Sequence, residues 1–259
     1  MNQEQMKVIS QRGVARDIQE LVLEGELALR VKNPGCFVHI RVSTDTDPLL
    51  RRPISICDAD PATGRLVLIY RVVGKGTGKL AQAQPGDKLD VLGPLGNGFP
   101  TEQVAPGDRV LLAGGGVGVP PLYGLSKTLR GRGIVPVHVL GFADARDAFY
   151  LDQFATLGPV YVATVDGSLG ERGMVTDVID SRSLECDVLY ACGPGPMLRA
   201  LEDRYLDTGI KGYLSLEQRM GCGIGACYAC VCKTRDGREG DYRKVCSDGP
   251  VFELGEVIL

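Results

Sequence analysis

The residues best suited to chemistry in this sequence are cysteines, five of which lie close together between Cys222 and Cys246. Four of them have the spacing C-x4-C-x2-C-x15-C, the C-x4-C-x2-C…C pattern of the ligands of a plant-type [2Fe–2S] cluster. In such a cluster, three thiolates from one tight loop and a fourth from a distant strand hold two iron atoms. The pattern therefore predicts an iron–sulfur site with the ligands Cys222, Cys227, Cys230 and Cys246.

Glycines beside the first cysteines favour this interpretation. Gly221, Gly223 and Gly225 permit positive φ angles and a close approach of the backbone to inorganic sulfide. Backbone N–H groups would also offset the negative charge of a cluster. A structural zinc site is the alternative, although zinc ribbons use two C-x2-C pairs and this segment has one. The fifth cysteine, Cys232, is then a bystander or a substitute for Cys230 or Cys246.

A glycine-rich loop after an apolar strand is the second candidate site. Residues 110–121 read as strand, loop and helix, an arrangement that brings backbone N–H groups against a pyrophosphate. The candidate contacts are Gly114, Gly115, Gly116 and Gly118. Because proline stands where a strict G-x-G-x-x-G motif has its third glycine, a tight turn without a ligand is the alternative.

Two more glycine-bearing loops follow strands of the same predicted sheet, at 166–170 and 192–197. Ligands of open α/β sheets bind at the carboxyl ends of the strands, so three such loops together predict a dinucleotide site. These loops add Asp166, Cys192, Gly193 and Pro194 as candidate contacts. Cys192 lies beside a nicotinamide ring in this interpretation, and is a small buried residue in the alternative one.

The segment Leu-Arg-Arg-Pro-Ile-Ser-Ile at 50–56 is a third candidate site. Arg52 and Ser55, three residues apart on an extended segment, can reach one phosphate together. Ile69, Tyr70 and Arg71 add a ring surface and a second cation, and Gly76 with Thr77 adds an anion-binding turn. The alternative is a charged surface strand followed by a glycine loop.

The elements that would position these sites change in type near residue 109. Before it, short strands at 7–10, 18–23, 37–42, 66–70 and 88–92 predict a sandwich or barrel. After it, strands at 110–113, 135–140, 160–164 and 188–191 alternate with helices, which predicts a doubly wound parallel sheet. The cysteine region is a small third unit that a metal cluster would stabilise. The predicted domains are 1–100, 101–211 and 212–259.

Composition excludes several classes of function for these 259 residues. With 29 basic and 32 acidic residues, the chain has no long-range attraction to nucleic acid or to an anionic membrane. No apolar run approaches the ~20 residues of a membrane-spanning helix, and the first ten residues lack a signal-peptide core, so we expect a cytoplasmic protein. No general base or pocket for an organic substrate is evident, and we predict no catalytic side chain.

In order, the motifs at 52–55, 114–118, 166–168 and 192–194 resemble those of the ferredoxin–NADP reductase superfamily. The cysteine segment at 217–232, with 245–252 and 90–98, narrows the resemblance to the electron-transfer subunits of class 1B dihydroorotate dehydrogenases. The resemblance covers essentially the whole chain, and the cysteine segment is its most specific part. It implies a β-barrel FAD domain, an α/β NAD domain and a small [2Fe–2S] domain.

The resemblance also implies a function and a partner. The chain would pass electrons from an FMN-containing catalytic subunit, which oxidises dihydroorotate to orotate, through the cluster and FAD to NAD⁺. The assembly would be a heterotetramer with two subunits of each kind, acting in pyrimidine biosynthesis. Carried onto matching positions, the FAD contacts would be Arg52, Pro53, Ile54, Ser55, Ile69, Tyr70, Arg71, Gly76 and Thr77.

The sequence departs from the wider superfamily in two ways. Ile54 occupies a position that is aromatic in many members, so the flavin ring must pack differently, with Tyr70 as a candidate neighbour. The chain also continues into the cysteine region where many members end with an aromatic residue. The choice between NAD and NADP is weakly encoded, because Asp144 could bind a ribose diol and Arg146 a 2′-phosphate.

Two other functions fit the sequence. The same domain order occurs in flavin subunits of other complexes, such as electron-bifurcating NADH-dependent ferredoxin:NADP oxidoreductases and sulfide dehydrogenases. A zinc-stabilised interaction module with an inactive nucleotide fold is the alternative outside the enzymes. The colour of the purified chain distinguishes these classes, because only an iron–sulfur flavoprotein is brown-yellow.

Overall fold

The N-terminal part of the chain closes into a barrel of six antiparallel strands, in the order β1-β2-β5-β4-β3-β6. These strands and the short helix after β5 are β1 Asn2–Ala15, β2 Ile18–Glu24, β3 Phe37–Arg41, β4 Arg52–Asp60, β5 Arg65–Arg71, α1 Lys75–Leu80 and β6 Lys88–Leu95. Side chains that alternate along the strands, such as Leu21 with Leu23 and Leu66 with Leu68, are fully buried in the barrel. The predicted barrel is confirmed.

The computed structural model, which describes residues 2–235, 237 and 241–259, continues as strands that alternate with helices. In chain order these are β7 Val110–Gly115, α2 Val119–Gly131, β8 Val137–Phe142, α3 Leu151–Ala155, β9 Val160–Thr164, β10 Glu171–Arg172, α4 Val175–Ser181, β11 Val188–Cys192, α5 Gly195–Tyr205 and β12 Lys211–Ser215. All pairs among these strands are parallel, which confirms the predicted α/β sheet. In the described part of the chain, no helix combines the length and apolarity needed to cross a membrane.

The cysteine region contains a two-stranded hairpin and then returns to the large sheet. The hairpin strands are β13 Val231–Lys233 and β14 Tyr242–Lys244, and the returning strand is β15 Val251–Glu253. β15 pairs antiparallel with β12, which completes a seven-stranded sheet in the order β10-β9-β8-β7-β11-β12-β15. The predicted boundary after residue 211 falls inside β12, so the last two predicted units share this sheet.

Two barrel strands differ from their predicted extent for a physical reason. β1 runs over 14 residues, whereas its apolar pattern predicts only 7–10. Its buried side chains are confined to Met6 and Val8, so the rest of the strand has no apolar alternation to detect. The segment 52–60 is likewise a full strand, β4, although its arginines and proline at the start conceal it.

Polar contacts fix the barrel against the sheet. Arg16, just after β1, donates to the carboxylates of Asp144 at 3.0 Å and Asp147 at 2.8 Å, both in the loop after β8. The Tyr150 hydroxyl donates to Glu20 on β2, which Arg12 also contacts. The carboxylates of Glu20 and Asp147 are buried, whereas their arginine partners reach solvent, and these contacts tie the barrel to the sheet.

Candidate cofactor sites

A cavity of about 430 Å³ lies where the barrel, the sheet and the cysteine region meet. Most of the residues predicted to contact flavin line it: Pro53, Ile54, Ser55, Ile69, Tyr70, Arg71 and Thr77. The opposite wall comes from Val117 in the glycine loop and from Met220 and Pro250 in the cysteine region. One cavity therefore borders all three predicted cofactor sites.

The other two predicted flavin contacts, Arg52 and Gly76, lie against each other beside this cavity. A Cβ atom built on Gly76 would stand 2.0 Å from Nε of Arg52, so the guanidinium occupies the space that a side chain would need. Arg52 also donates to the carbonyl of Leu50 at 2.7 Å. The glycine thus lets α1 approach an arginine whose position is fixed from two sides.

In the described part of the chain, Arg71 has a free donor with which to bind an anionic ligand. Its Nε is buried and has no hydrogen-bond partner among the described residues, although a buried donor without a partner is costly. Its Nη2 lies 3.8 Å from the place where a Cβ of Gly116 would be. Arg71 therefore connects the barrel side of the cavity with the glycine loop, where a dinucleotide pyrophosphate would complete its bonding.

Ile54 and Tyr70 contribute an aliphatic and an aromatic side chain to the cavity wall. Burial raises the pKa of Tyr70 to about 12, and its hydroxyl accepts a hydrogen bond from Nε2 of Gln11 at 2.6 Å. This bond fixes the phenol ring in one orientation. A fixed ring and an aliphatic side chain are a suitable surface for an isoalloxazine ring. We therefore propose Ile54 and Tyr70 as FAD contacts.

Sequence reasoning missed three polar residues of the cavity wall, Ser215, Glu217 and Gln218. Ser215 ends β12 and pairs in register with Cys192 at the end of β11. Burial raises the pKa of Cys192 to about 12, and the charge of Glu217 adds to this effect. Glu217 is an exposed residue of the cavity wall, and the protein atoms packed near its carboxyl raise the pKa of that group. The three polar residues lie at or just after the carboxyl end of the parallel strand β12, and that position could have indicated a ligand site.

The glycine loop and the loop at 192–194 lie against each other at the ends of β7 and β11. A Cβ on Gly115 would stand 2.9 Å from Cδ of Pro194, and a Cβ on Gly118 would stand 2.3 Å from the carbonyl oxygen of Cys192. Gly193 is in contact with both glycines. The structure thus brings together Gly114, Gly115, Gly116, Gly118, Cys192, Gly193 and Pro194.

Asp166 lies apart from these loops, after β9, which is two strands away from β7. Its carboxylate accepts hydrogen bonds from the backbone N–H and the hydroxyl of Ser168, at 2.9 and 2.6 Å. Ser168 in turn accepts from the N–H of Ala145 at 2.8 Å. Asp166 therefore shapes the loop beside Asp144 and does not belong to the pyrophosphate turn. The far end of a dinucleotide would lie beside this loop.

We expect Gly118→Ala to destabilise the chain by about 3 kcal/mol, because the new methyl group meets backbone that cannot move alone. For a domain of this size that lowers Tm by about 10 °C in a thermal melt. Gly131→Ala is the control, since Gly131 ends α2 with no atom within 4 Å of a new Cβ. Equal melting temperatures for the two variants would contradict the close contact of the two loops.

The four predicted cluster ligands lie close together. The thiol of Cys222 interacts with that of Cys227, and the thiol of Cys246 interacts with those of Cys230 and Cys222. Gly225 donates its N–H to Sγ of Cys246 at 3.1 Å, which ties the fourth cysteine to the loop of the first three. Four neighbouring thiols match a binuclear cluster, in which each iron takes two cysteine ligands.

Backbone N–H groups point at the sulfur of Cys222. Ile224 and Cys227 donate to it at 3.5 and 3.3 Å. Burial alone would raise the pKa of Cys222, but these donors and the Cys227 thiol outweigh it and lower the pKa to about 6. Gly225 has φ +81°, a conformation that favours glycine and turns its N–H toward the cysteines. The loop therefore stabilises thiolate, the form that binds iron, at Cys222, whereas burial raises the pKa of Cys246 to about 12.

The spacing of the cysteines, with one C-x2-C pair, favours a cluster over a single zinc ion. Over residues 2–235, 237 and 241–259, no group of three or more His, Cys, Asp or Glu side chains converges on one metal position. The thiol of Cys232 lies in the hairpin, where it is buried and donates to the carbonyl of Arg243 at 3.5 Å. Because the thiol of Cys232 is bonded elsewhere, the other four cysteines remain as the proposed ligands of a [2Fe–2S] centre.

The barrel contacts the cysteine region at two points. Asn97, after β6, donates through Nδ2 to the carbonyls of Ser247 at 3.2 Å and Asp248 at 3.0 Å, next to Cys246. His39 on β3 lies against Gly223 at the other end of the site. Burial lowers the pKa of His39 to about 4. Both loops that carry cysteines are therefore seated directly on the predicted flavin domain.

Comparison with known proteins identifies relatives over the full chain. The sequence model of the iron-sulfur cluster binding domain of dihydroorotate dehydrogenase B matches residues 217–258. The chain is 57% identical to the dihydroorotate dehydrogenase B (NAD(+)) electron transfer subunit of Bacillus caldolyticus, over 100% of both chains. It is 53% identical to the protein with the same name from Bacillus mycoides, again over 100% of both.

Solved structures with a similar fold were also found. An NADH-dependent reduced ferredoxin–NADP oxidoreductase is similar with a TM-score of 0.86 and 30% identity, over 98% of this chain and 90% of that one. The ferredoxin reductase of a carbazole 1,9a-dioxygenase shares the fold, with a TM-score of 0.69 and 22% identity over 81% of this chain and 66% of that one.

Proposed function

Because the chain belongs to the family of dihydroorotate dehydrogenase B (NAD(+)) electron transfer subunits, we propose that it conducts electrons between its catalytic partner subunit and NAD⁺. It is an oxidoreductase subunit that binds FAD, a [2Fe–2S] cluster and NAD. FAD exchanges either a hydride or single electrons, whereas an iron–sulfur cluster exchanges single electrons, and this chemistry comes from the bound groups. The chain supplies position, polarity and exclusion of water.

The observation that carries this proposal is the shared cavity. Ile54 and Tyr70 of the barrel face Val117 of the glycine loop, and Met220 and Pro250 close the cavity near the cysteines. Met220 is two residues from Cys222, and Pro250 is four from Cys246. We infer that electrons enter at the cysteine loop and leave at the nicotinamide site, with the cavity between them.

We propose that the catalytic partner contains FMN, oxidises dihydroorotate to orotate in pyrimidine biosynthesis, and docks on the outer side of the cysteine loop. Two large apolar side chains are exposed there, with 42% of Ile224 and 72% of Tyr228 accessible. Lys244 holds this surface in shape, since its Nζ donates to the carbonyl of Gly225 at 2.6 Å and lies 4.5 Å from the ring of Tyr228. The proposed assembly has two subunits of each kind.

We also propose a cytoplasmic location, because the chain needs its thiols reduced. All nine cysteines are free in the structure, and none of the described pairs forms a disulfide. A reducing compartment keeps thiols available for iron.

The test is an assay of the chain purified without oxygen together with its catalytic partner. Added dihydroorotate and NAD⁺ should give NADH only when both subunits are present. If FAD and iron are present but no NADH forms, the dihydroorotate assignment is wrong. The similarity to the NADH-dependent oxidoreductase structure then favours a second function, transfer between NADH and a ferredoxin, which is assayed with the same preparation.

We expect Asp144→Ala to shift the cofactor preference from NAD⁺ toward NADP⁺ by about tenfold or more, a change worth about one charge-assisted hydrogen bond. Asp144 pairs with Arg16 at 3.0 Å and with Arg146 at 2.7 Å. These cations, Arg146 first, hold the pKa of the carboxyl well below its usual range. Without the carboxylate, Arg146 is free to bind a 2′-phosphate, whereas Arg16 stays paired with Asp147 at 2.8 Å.

The measurement is the ratio of kcat/KM for the two nucleotides in the assembled enzyme. Asp152→Ala is the matched control, because Asp152 is an exposed carboxylate on α3. If both variants keep the original ratio, Asp144 does not face the adenosine ribose.

A further inference from the structure

His39 is the least satisfied polar side chain near the cysteine region. It is 0% exposed, and neither ring nitrogen has a hydrogen-bond partner among the described residues. A neutral imidazole carries one N–H donor and one acceptor, and leaving them unpaired in an apolar setting is costly. This cost indicates that the ring has a task that packing alone does not explain.

The ring is aimed at the loop that carries three of the proposed cluster ligands. A Cβ built on Gly223 would stand 2.5 Å from Nδ1 of His39 and 3.0 Å from Cε1. Gly223 also has φ +73°, so glycine is needed there both for its conformation and for the space that the ring occupies. The backbone of the preceding residue, Cys222, is close enough to favour a proton on the ring, as is the backbone of Arg51 on the barrel side.

The strand that carries His39 also contacts the flavin cavity. Phe37, two residues earlier on β3, lines that cavity. Residues two apart on a strand point to the same face, so one face of β3 touches both sites. A shift of this strand would change the flavin wall and the cysteine loop together.

We propose that His39 is a positioning residue for the iron–sulfur cluster: its ring seats Gly223, and its N–H is the barrel's hydrogen-bond donor to the loop at Cys222. An N–H dipole directed at this end of the site stabilises the added electron, so His39 raises the reduction potential of the cluster. The inference rests on the proposed function, because it requires that the four cysteines hold a cluster. It adds a residue outside the cysteine region that decides how readily the cluster accepts an electron.

The experiment compares His39→Phe with His39→Gln in the assembled enzyme. Phenylalanine keeps the ring volume and lacks the donor, whereas glutamine keeps a donor. Redox titration followed by electron paramagnetic resonance should show a more negative cluster potential for His39→Phe. We expect about a three- to tenfold fall in the equilibrium constant for one-electron reduction, equivalent to ~30–59 mV, from the loss of one hydrogen bond to the backbone of the loop.

His39→Gln should recover most of that shift, and His138→Gln should leave the potential unchanged. His138 is the other histidine of the chain, and it is buried in the sheet, bonded to Ser126 and to the carbonyl of Pro159. A His39→Phe enzyme with a full cluster, an unchanged potential and an unchanged spectrum would overturn the proposal.

A second measurement applies if His39→Phe does not fold or load. The wild-type chain is labelled with ¹⁵N-histidine, assembled with unlabelled partner and reduced. Pulsed resonance should then show a histidine ¹⁵N coupled weakly to the cluster, and the absence of this coupling would also overturn the proposal. A wild-type chain that contains flavin but no cluster signal at all would instead refute the function on which the inference rests.

Discussion

Replacing Cys227 with alanine will remove the iron–sulfur cluster and leave FAD in place. In the proposed ligand set each iron takes two of the four cysteines, so the loss of Cys227 would leave one iron with a single thiolate. The barrel and the glycine loop, which supply most of the cavity wall, do not depend on this thiol. We expect dihydroorotate-dependent reduction of NAD⁺ to fall by about 100-fold or more, since even an outer partner of a metal ligand is worth 10–100-fold.

The measurement combines iron content, the visible spectrum and two activities. Reduction of an artificial acceptor by NADH should persist, because it needs FAD and the nicotinamide site alone. Cys232→Ala is the matched control: this cysteine lies two residues after Cys230, and its thiol donates to the carbonyl of Arg243. A cluster that is lost from Cys232→Ala and retained in Cys227→Ala would show that the ligand set is wrong.

Gly76→Ala should weaken FAD binding by about 10–100-fold, the cost of one charge-assisted hydrogen bond. The new methyl group would stand 2.0 Å from Nε of Arg52, so the guanidinium must leave its place. The arginine is the end of a flexible side chain, so the fold can accommodate the change. We therefore expect a loss of flavin affinity with little loss of stability.

Gly78→Ala, in the same short helix, is the control. A Cβ on Gly78 meets nothing within 4 Å, and alanine favours a helix over glycine by up to about 1 kcal/mol. Titration of FAD fluorescence on flavin-free chain measures both variants. Equal affinities would mean that Arg52 does not contact the flavin phosphate, whereas a cluster lost from Gly76→Ala would indicate a wider structural effect.

Much of the fold could be predicted from the sequence because its signals are local. The strand at 160–164 is predicted with the limits it has in the structure, since its apolar residues are bounded by proline and by an Asp-Gly turn. The glycine motif at 114–118 likewise predicts a strand before it, a turn and a helix after it, as the structure has them. Local patterns of this kind need no knowledge of what packs against them.

The features that sequence reasoning missed depend on contacts between distant segments. Glu217 enters the cavity wall because β12 ends beside β11, and no motif around it reports that neighbour. His39 looks like one more polar residue of a strand until the fold brings it to Gly223, far along the chain. The polar part of strand β1 is stabilised by pairing with β2 and β6, and the sequence of β1 alone does not specify these partners.

The return of β15 to β12 has a consequence for biogenesis. During synthesis, the edge of the large sheet stays open until residues 251–253 leave the ribosome, after every cysteine has been made. An open edge presents unpaired N–H and C=O groups to other chains. A nascent chain that has reached Cys246 but not Val251 is thus exposed to misassembly, and iron that organises the cysteine loops would bring the closing strand to its place sooner.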